Sequence, residues 1–253
     1  MLYPAHFRQA PDGSTIEIQT LEEHNRNTAE RSSERLYHVQ LAKTGYLAGL
    51  LHDEGKYCEK FRVYMETIMA GHPVQRGSVI HSHAATRFLL EHFHTASDPY
   101  RDMAAELLAF STGAHHGLFD CVDKKHRFGF SRHLQWDDDS YREATAAFLE
   151  QCAGMDELEA LFDQAEQELI PIFDRLNTRN RNEEIFFHLG LLARLLLSAV
   201  IEGDRYDTIR YVRRTIPSVF PPPPRSILAP VADSSGAETG QTPPRHPHST
   251  GPA

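Results

Sequence analysis

LAGLLHDEGKY, residues 47–57, is an apolar run that ends in an adjacent histidine and aspartate. The pattern begins upstream, where Leu36, Val39, Leu41, Tyr46, Leu47, Leu50 and Leu51 recur at helical spacing. The stretch from Leu36 to Leu51 therefore reads as a buried helix, with Gly45 and Gly49 as places of close packing. An ionised carboxylate at its end, Asp53, is costly to bury unless a cation neutralises it. Gly55 is expected to stop the helix and open its last turn to a cleft. Lys56 would then lie beside the carboxylate, able to meet a phosphate oxygen. A divalent metal is a natural counter-charge, and His52 and Asp53 are its first candidate ligands.

Further candidates lie far along the chain. His81 sits in VIHSHAATRFLL, with His83 as its rival; two residues apart on a helix, they point to different sides, and His81 is preferred. The doublet His115-His116 precedes Gly117. Adjacent side chains in a regular helix diverge by about 100°, so these two converge only where the backbone turns, which Gly113 and Gly117 permit. Asp204 ends the apolar LLARLLLSAVIEGD, with Glu202 and Asp207 competing for its role. A hard carboxylate oxygen there complements imidazole nitrogens on Mn²⁺, Fe²⁺ or Ni²⁺. His24, in LEEHNRN, is the upstream candidate and by itself would be an ordinary surface histidine.

Working outward, residues 1–20 read as a short irregular or strand-like start. A helix then opens with Thr20 and Glu23 in a capping-box pattern. KYCEKFRVYMETIMAG is a further amphipathic helix, ended by Gly71-His72-Pro73. SVIHSHAATRFLLEHF is another, with Ser78 as N-cap, and Asp98-Pro99 opens one that closes at Gly117. Residues 118–140 are irregular and mixed in charge, and 141–176 are acidic and helical. After a polar break at 177–182 comes a last long helix, from about Glu183 to about Asp204. The strand signal is weak, so the fold class is all-α. Residues 1–217 form the expected domain, and 218–253 a Pro-rich tail that cannot build a core and is expected to be disordered.

The chain has 253 residues and 40% hydrophobic content, enough for a substantial core. IFFHLGLLARLLLSAVI (185–201) is the stretch closest to a bilayer span, but His188 and Arg194 interrupt it, so a core helix is expected and no membrane partner. No charged segment followed by an apolar block marks a signal peptide. Cys58, Cys121 and Cys152 give no zinc spacing and fit a reducing compartment. The net charge of −9 argues mildly against a large electrostatic grip on nucleic acid, although bound divalent cations would change that count. Sixteen histidines favour imidazole ligation of metal. His6, His72, His92, His94, His126, His133, His246 and His248 are read as solvated or capping residues.

Five segments together carry a resemblance: His24 in the first helix, HDEGKYCEKFRVYM at 52–65, IHSHAATRFL at 80–89, AHHGLFD at 114–120 and SAVIEGDRYDT at 198–208. In order and spacing they resemble the HD nuclease domain of the CRISPR-associated nuclease-helicase of type I interference systems. The match covers about residues 20–210, and Phe61 and the HHG doublet separate it from generic HD phosphohydrolases. The resemblance implies an all-helical HD-domain bundle holding two divalent transition-metal ions (Mn²⁺, Fe²⁺, Ni²⁺ or Co²⁺, with Mg²⁺ also admitted). His24, His52, Asp53 and Asp204 would hold one ion; Asp53, His81, His115 and His116 would hold the other, with Asp53 bridging. Asp53 and Lys56 would act in catalysis, Lys56 on the scissile phosphate.

The activity so implied is endonucleolytic, then processive, cleavage of single-stranded DNA in antiviral defence in a prokaryotic cytoplasm. Two departures stand out. His83 occupies a position where many relatives have a small residue. No G-x-x-x-x-G-K-[ST] motif is present, so the chain reads as a stand-alone or truncated HD subunit. Its partners would be single-stranded DNA, a separate helicase subunit and an RNA-guided surveillance complex. Lys124, Lys125, Arg127 and Arg132, interleaved with Phe128, Phe130 and Trp136, are expected to line the DNA path. The alternatives are an HD phosphohydrolase acting on nucleotides or cyclic nucleotides, and a non-catalytic HD module of an interference complex.

Overall fold

A computed structural model describes residues 2–75, 77–79, 81–118, 134, 138–178 and 182–213. The residues expected to line a DNA path, Cys121, and the tail expected to be disordered lie outside that range. Residues 1–216 form one compact unit. It is predominantly helical, as expected of an all-α bundle. Its N-terminus is a two-stranded antiparallel hairpin of β1 (Pro4–Gln9) and β2 (Thr15–Thr20), in which His6 pairs with Gln19. The described helices are α1 (Leu21–Leu36), α2 (Ala42–Leu51), α3 (Glu59–Met69), α4 (His83–Phe93), α5 (Pro99–Gly113), α6 (Asp138–Gln151), α7 (Met155–Asn177) and α8 (Asn182–Arg213).

Helix α2 is the centre. It is apolar on nearly every side, which only a helix surrounded by others can satisfy. Leu47, Ala48, Gly49, Leu50 and Leu51 are all buried, and α1, α5, α7 and α8 pack around it. Small residues set the spacing. A Cβ on Gly49 would stand 2.7 Å from the Ala29 Cα, and one on Gly45 2.7 Å from the Ser32 carbonyl oxygen. A Cβ on Gly203 of α8 would stand 2.8 Å from both Ser32 Oγ and the Thr28 carbonyl oxygen. Helices α1, α2 and α8 thus pack closely on one another, and Ser32 Oγ donates to the Ala199 carbonyl at 3.2 Å.

The caps follow the sequence in part. Thr20 Oγ1 accepts from Glu23 N at 3.1 Å, and the Asp98 carboxylate accepts from Tyr100 N and Arg101 N. Helix α2 has no side-chain cap of its own at Leu41. Its first amides instead meet a distant carboxylate: Lys43 N and Thr44 N both donate at 2.9 Å to Glu168 of α7.

Several expected boundaries move. The helix read from Leu36 to Leu51 is broken by a 3-10 turn, Tyr37–Val39, and by Gln40 with φ +61°. Leu36 and Leu41 are both buried across that corner, so the apolar spacing survives a change of direction. Gly55 does not terminate α2, which ends at Leu51, and Glu54–Lys56 form a second 3-10 turn. Helix α4 starts at His83 rather than after Ser78, and α5 ends at Gly113, leaving His115-His116 in the following turn.

Helix α8 runs on to Arg213, so Asp204 lies within it rather than at its end. Gly203 there serves close packing, not termination. By length and composition alone, Glu184–Arg213 is apolar enough to cross a membrane, a test that a core helix also passes. Leu192, Leu196, Leu197, Ala199 and Val200 are buried, while Phe186, Phe187, Leu191 and Leu195 are exposed.

Gly49→Ala is expected to destabilise the fold by about 1–3 kcal/mol, the usual cost of overpacking. Gly190→Ala on α8 should do the reverse: its methyl meets nothing nearer than the Arg194 side chain at 3.4 Å, and the gain in helix propensity is about 0.5–1 kcal/mol. Urea unfolding of the two variants checks the pair of signs; identical midpoints would contradict the packing argument.

Candidate metal centre

Five helices and the turns that flank them bring the candidate residues together. His24 comes from the first turn of α1, His52 and Asp53 follow α2, His81 precedes α4, His115 and His116 follow α5, and Asp204 projects from α8. One group is His24, His52 and Asp204; the other is Asp53, His81, His115 and His116; within each, one ligand atom per residue lies within 4.8 Å of the others. Asp53 joins them. Its Oδ2 lies 3.3 Å from His52 Nε2 and 3.5 Å from His24 Nε2, and its Oδ1 lies 3.6 Å from His115 Nε2 and 3.8 Å from His81 Nε2. His24 Nε2 is also 3.4 Å from Asp204 Oδ1. The described geometry brings together His81, not His83.

Three of the rings are held from behind by backbone carbonyls. His52 Nδ1 donates to the Gly49 carbonyl at 2.7 Å, His115 Nδ1 to the Thr112 carbonyl, and His81 Nδ1 to the Val79 carbonyl at 3.1 Å. A carbonyl only accepts, so in each neutral imidazole the hydrogen sits on Nδ1 and the Nε2 lone pair points into the cluster. His24 Nε2, His52 Nε2, His115 Nε2 and Asp53 Oδ1 are buried without a hydrogen-bond partner. Buried polar atoms normally find partners, and the lone pairs of His52, His115 and Asp53, converging beside the His24 ring, are what a cation site requires. His81 Nε2 and His116 Nε2 approach to 2.8 Å, a distance two lone pairs tolerate only with a proton or another cation between them. The side chains therefore fit a divalent metal on each side of Asp53.

The electrostatics agree. His24 is fully buried, which disfavours its charged form, yet the carboxylates of Asp204, Asp207 and Asp53 hold its pKa up to about 10. A place that stabilises a proton so strongly stabilises any cation. Burial raises the pKa of Asp53, but His52, Lys56, His115 and His24 outweigh it and hold the carboxyl well below its usual range. Asp204 is lowered likewise, burial being overcome chiefly by His24. On the other side, burial and the Lys56 cation push His81 down to about 3, and burial and His115 push His116 down to about 4. Those imidazoles are neutral and available as ligands at neutral pH. Lys56 Nζ donates to Asp53 Oδ2 at 2.6 Å and lies 5.4 Å from the centre of the Phe61 ring.

Gly55 has its own reason here. A Cβ on it would stand 2.1 Å from the His81 carbonyl oxygen, so the residue is small to let the His81 backbone pass. His81 lies outside α4, and its ring orientation depends on that contact and on Val79, not on helical periodicity. Glu54 turns the other way. It is fully buried, accepts from Thr145 Oγ1 at 2.6 Å, and burial pushes its pKa up to about 8.

Some participants escape a reading of the sequence. His24 is buried, not superficial, on a face of α1 whose other members include Asn25, Thr28 and Ser32. That face is polar, so amphipathic analysis assigns it to solvent. Asp207, considered only as a rival to Asp204, reaches the far side of His24. Gln19 and Asn27 donate to Asp207, and no motif marks either one. His6, read as a solvated or capping residue, packs edge-on against His24 with ring centres 4.9 Å apart and shares a hydrogen bond with Thr208 Oγ1.

If the cluster holds metal, Mn²⁺ at a hundred times its dissociation constant should add about 2.7 kcal/mol of stability. For a unit of this size that is a rise in Tm of about 5–10 °C. Asp53→Ala should abolish the rise. A wild-type Tm indifferent to Mn²⁺ in thermal melts would contradict the assignment. No protein-family model matches the chain, and no curated protein matches it, so the chemistry of this centre rests on its own geometry.

Proposed function

We propose that this protein is a metal-dependent phosphodiester hydrolase that cleaves single-stranded DNA, the nuclease component of an RNA-guided antiviral interference system of the CRISPR type I kind. The observation that carries the reading is the carboxylate of Asp53, whose two oxygens face two separate sets of ring nitrogens. Such an arrangement suits a pair of divalent cations, which supply charge neutralisation for the attacking and departing oxygens of a phosphodiester and make water more acidic.

The chain's own residues have distinct tasks in this account. His24, His52 and Asp204 hold one side of the centre, and His81, His115 and His116 hold the other. Asp53 fixes the separation between them. Lys56, now on Asp53 Oδ2, is placed to turn its ammonium to a phosphate oxygen once cations take over that carboxylate. Phe61 beneath it keeps the ammonium stem in position. Charge supports an anionic substrate. Three carboxylates, Asp53, Asp204 and Asp207, gather around His24, and Lys56 is the cation paired with Asp53. Two divalent ions reverse that balance and leave a positive centre that attracts a phosphodiester.

Access is uneven, and that favours a polymer. His24, His52 and Asp53 are fully buried, His81 and Asp204 are partly exposed, and His116 is the exposed member of the centre. A substrate thus approaches from the side of His81 and His116. A single strand can lay its backbone along an open edge, while a free nucleotide needs a closed pocket for its base. The helicase partner and the surveillance complex belong to the same proposal, because this centre contributes hydrolysis and no means of unwinding duplex.

The test is an assay on circular single-stranded DNA with Mn²⁺, run beside a panel of nucleotides and cyclic nucleotides. Metal-dependent opening of the circle is expected. Asp53→Ala should lower the rate by at least about a thousandfold and Lys56→Ala by about a hundredfold, the scale of losing a group that stabilises transition-state charge. Hydrolysis of nucleotides with intact circles would overturn the nuclease reading in favour of a phosphohydrolase. Tight Mn²⁺ binding with no hydrolysis of either would overturn it in favour of a binding module.

A further inference from the structure

We propose that Asp207 is a positioning residue for the metal centre. It fixes the ring of His24 in the tautomer that presents Nε2 to a cation, and so makes the His24 side the tighter of the two sites. The inference rests on the metal reading above and adds a residue and an asymmetry to it.

Four histidines of the cluster have a partner on Nδ1, and three of those partners are backbone carbonyls. His24 differs. It lies in the first turn of α1, where the neighbouring carbonyls are committed to the helix ladder. Its Nδ1 instead lies 2.7 Å from Asp207 Oδ2, while Nε2, on the other edge of the ring, lies 3.4 Å from Asp204 Oδ1 and 3.5 Å from Asp53 Oδ2. Asp204 and Asp207 are three apart on α8 and share a face. One helix therefore brackets both edges of the ring: Asp204 beside the cation position and Asp207 behind it.

Asp207 is itself fixed. It is buried, and besides His24 it accepts from Gln19 Nε2 on Oδ2 at 2.8 Å and from Asn27 Nδ2 on Oδ1 at 2.8 Å. All three neighbours donate, so the group that satisfies them is an ionised carboxylate. A carboxylate behind an imidazole raises the basicity of the other nitrogen and strengthens it as a ligand, an effect a backbone carbonyl provides less strongly. The His24 side thus combines a charged support with the carboxylate of Asp204. The His81, His115 and His116 side has imidazoles backed at most by neutral carbonyls, and one of its members is exposed. The hairpin gains a purpose as well, since Gln19 of β2 clamps Asp207 from across the site.

The experiment is Mn²⁺ titration calorimetry on the full chain, comparing wild type, Asp207→Ala, Asp207→Asn, His24→Ala and the double variant Asp207→Ala/His24→Ala. Two unequal sites are expected in the wild type. Asp207→Ala should weaken the tighter one by about 10–100-fold and leave the weaker within twofold. Asp207→Asn, which keeps the shape and sets one amide against a donor, should fall between. The double variant should bind no worse than His24→Ala, because Asp207 acts through that ring; additive losses would mean a merely structural role. If Asp207→Ala does not fold, judged by circular dichroism, Asp207→Asn decides. A folded Asp207 variant with both affinities within twofold of wild type overturns the proposal and leaves the metal reading intact. A wild type that takes up no Mn²⁺ overturns both.

Discussion

The carboxylate of Asp53 is fully buried, and beside it lie two more carboxylates, Asp204 and Asp207, and one lysine. Burying an unpaired charge costs several kcal/mol, a large share of the stability of any domain. Lys56 offsets one charge and a protonated His24 a second, which leaves one negative charge over. The other imidazoles do not make up the difference: His52 and His115 direct bare Nε2 atoms at the carboxylates. The residues that would be wrong for a stable apolar core are right for a cation site, and the remainder of the fold is arranged to hold them there.

That arrangement depends on close backbone approach. Gly45 and Gly49 let α1 lie against α2, and Gly203 lets α8 lie against α1. This brings His24, the 52–53 pair and Asp204 to one point from three helices. Gly55 extends the same device to the loop that carries His81. A methyl group at any of these positions would displace backbone, not a flexible side-chain tip. The centre is consequently as rigid as the packing around it, a condition that ligand convergence to a fraction of an ångström requires.

The helical class and the general course of the chain were legible because α2 and α8 carry long apolar runs, α3 and α4 alternate apolar and polar faces, and the caps at Thr20 and Asp98 are made of the expected residues. The ligand candidates were legible as residue types too: His52-Asp53, His81, His115-His116 and Asp204 are unusual against apolar surroundings. The corner at Gln40 was not, since Leu36, Val39 and Leu41 look like one helical stripe in the sequence, while Val39 is exposed and Leu36 and Leu41 are buried on either side of the turn. Nor was the cap of α2, which comes from Glu168, 125 residues away from Lys43. The end of α8 was misjudged because the apolar run stops near Asp204 while the helix continues to Arg213. Asp207, Gln19 and Asn27 are ordinary polar residues in sequence, and their role exists only in the hydrogen bonds that tertiary structure creates.

The most direct test of the centre is a crystal of the chain soaked in Mn²⁺ and measured at the manganese absorption edge. Two anomalous peaks are expected, one among His24, His52 and Asp204 and one among His81, His115 and His116, with a different oxygen of Asp53 facing each. Anomalous density absent from this cluster, with Asp53 bonded to Lys56 alone in the presence of saturating Mn²⁺, would contradict the account.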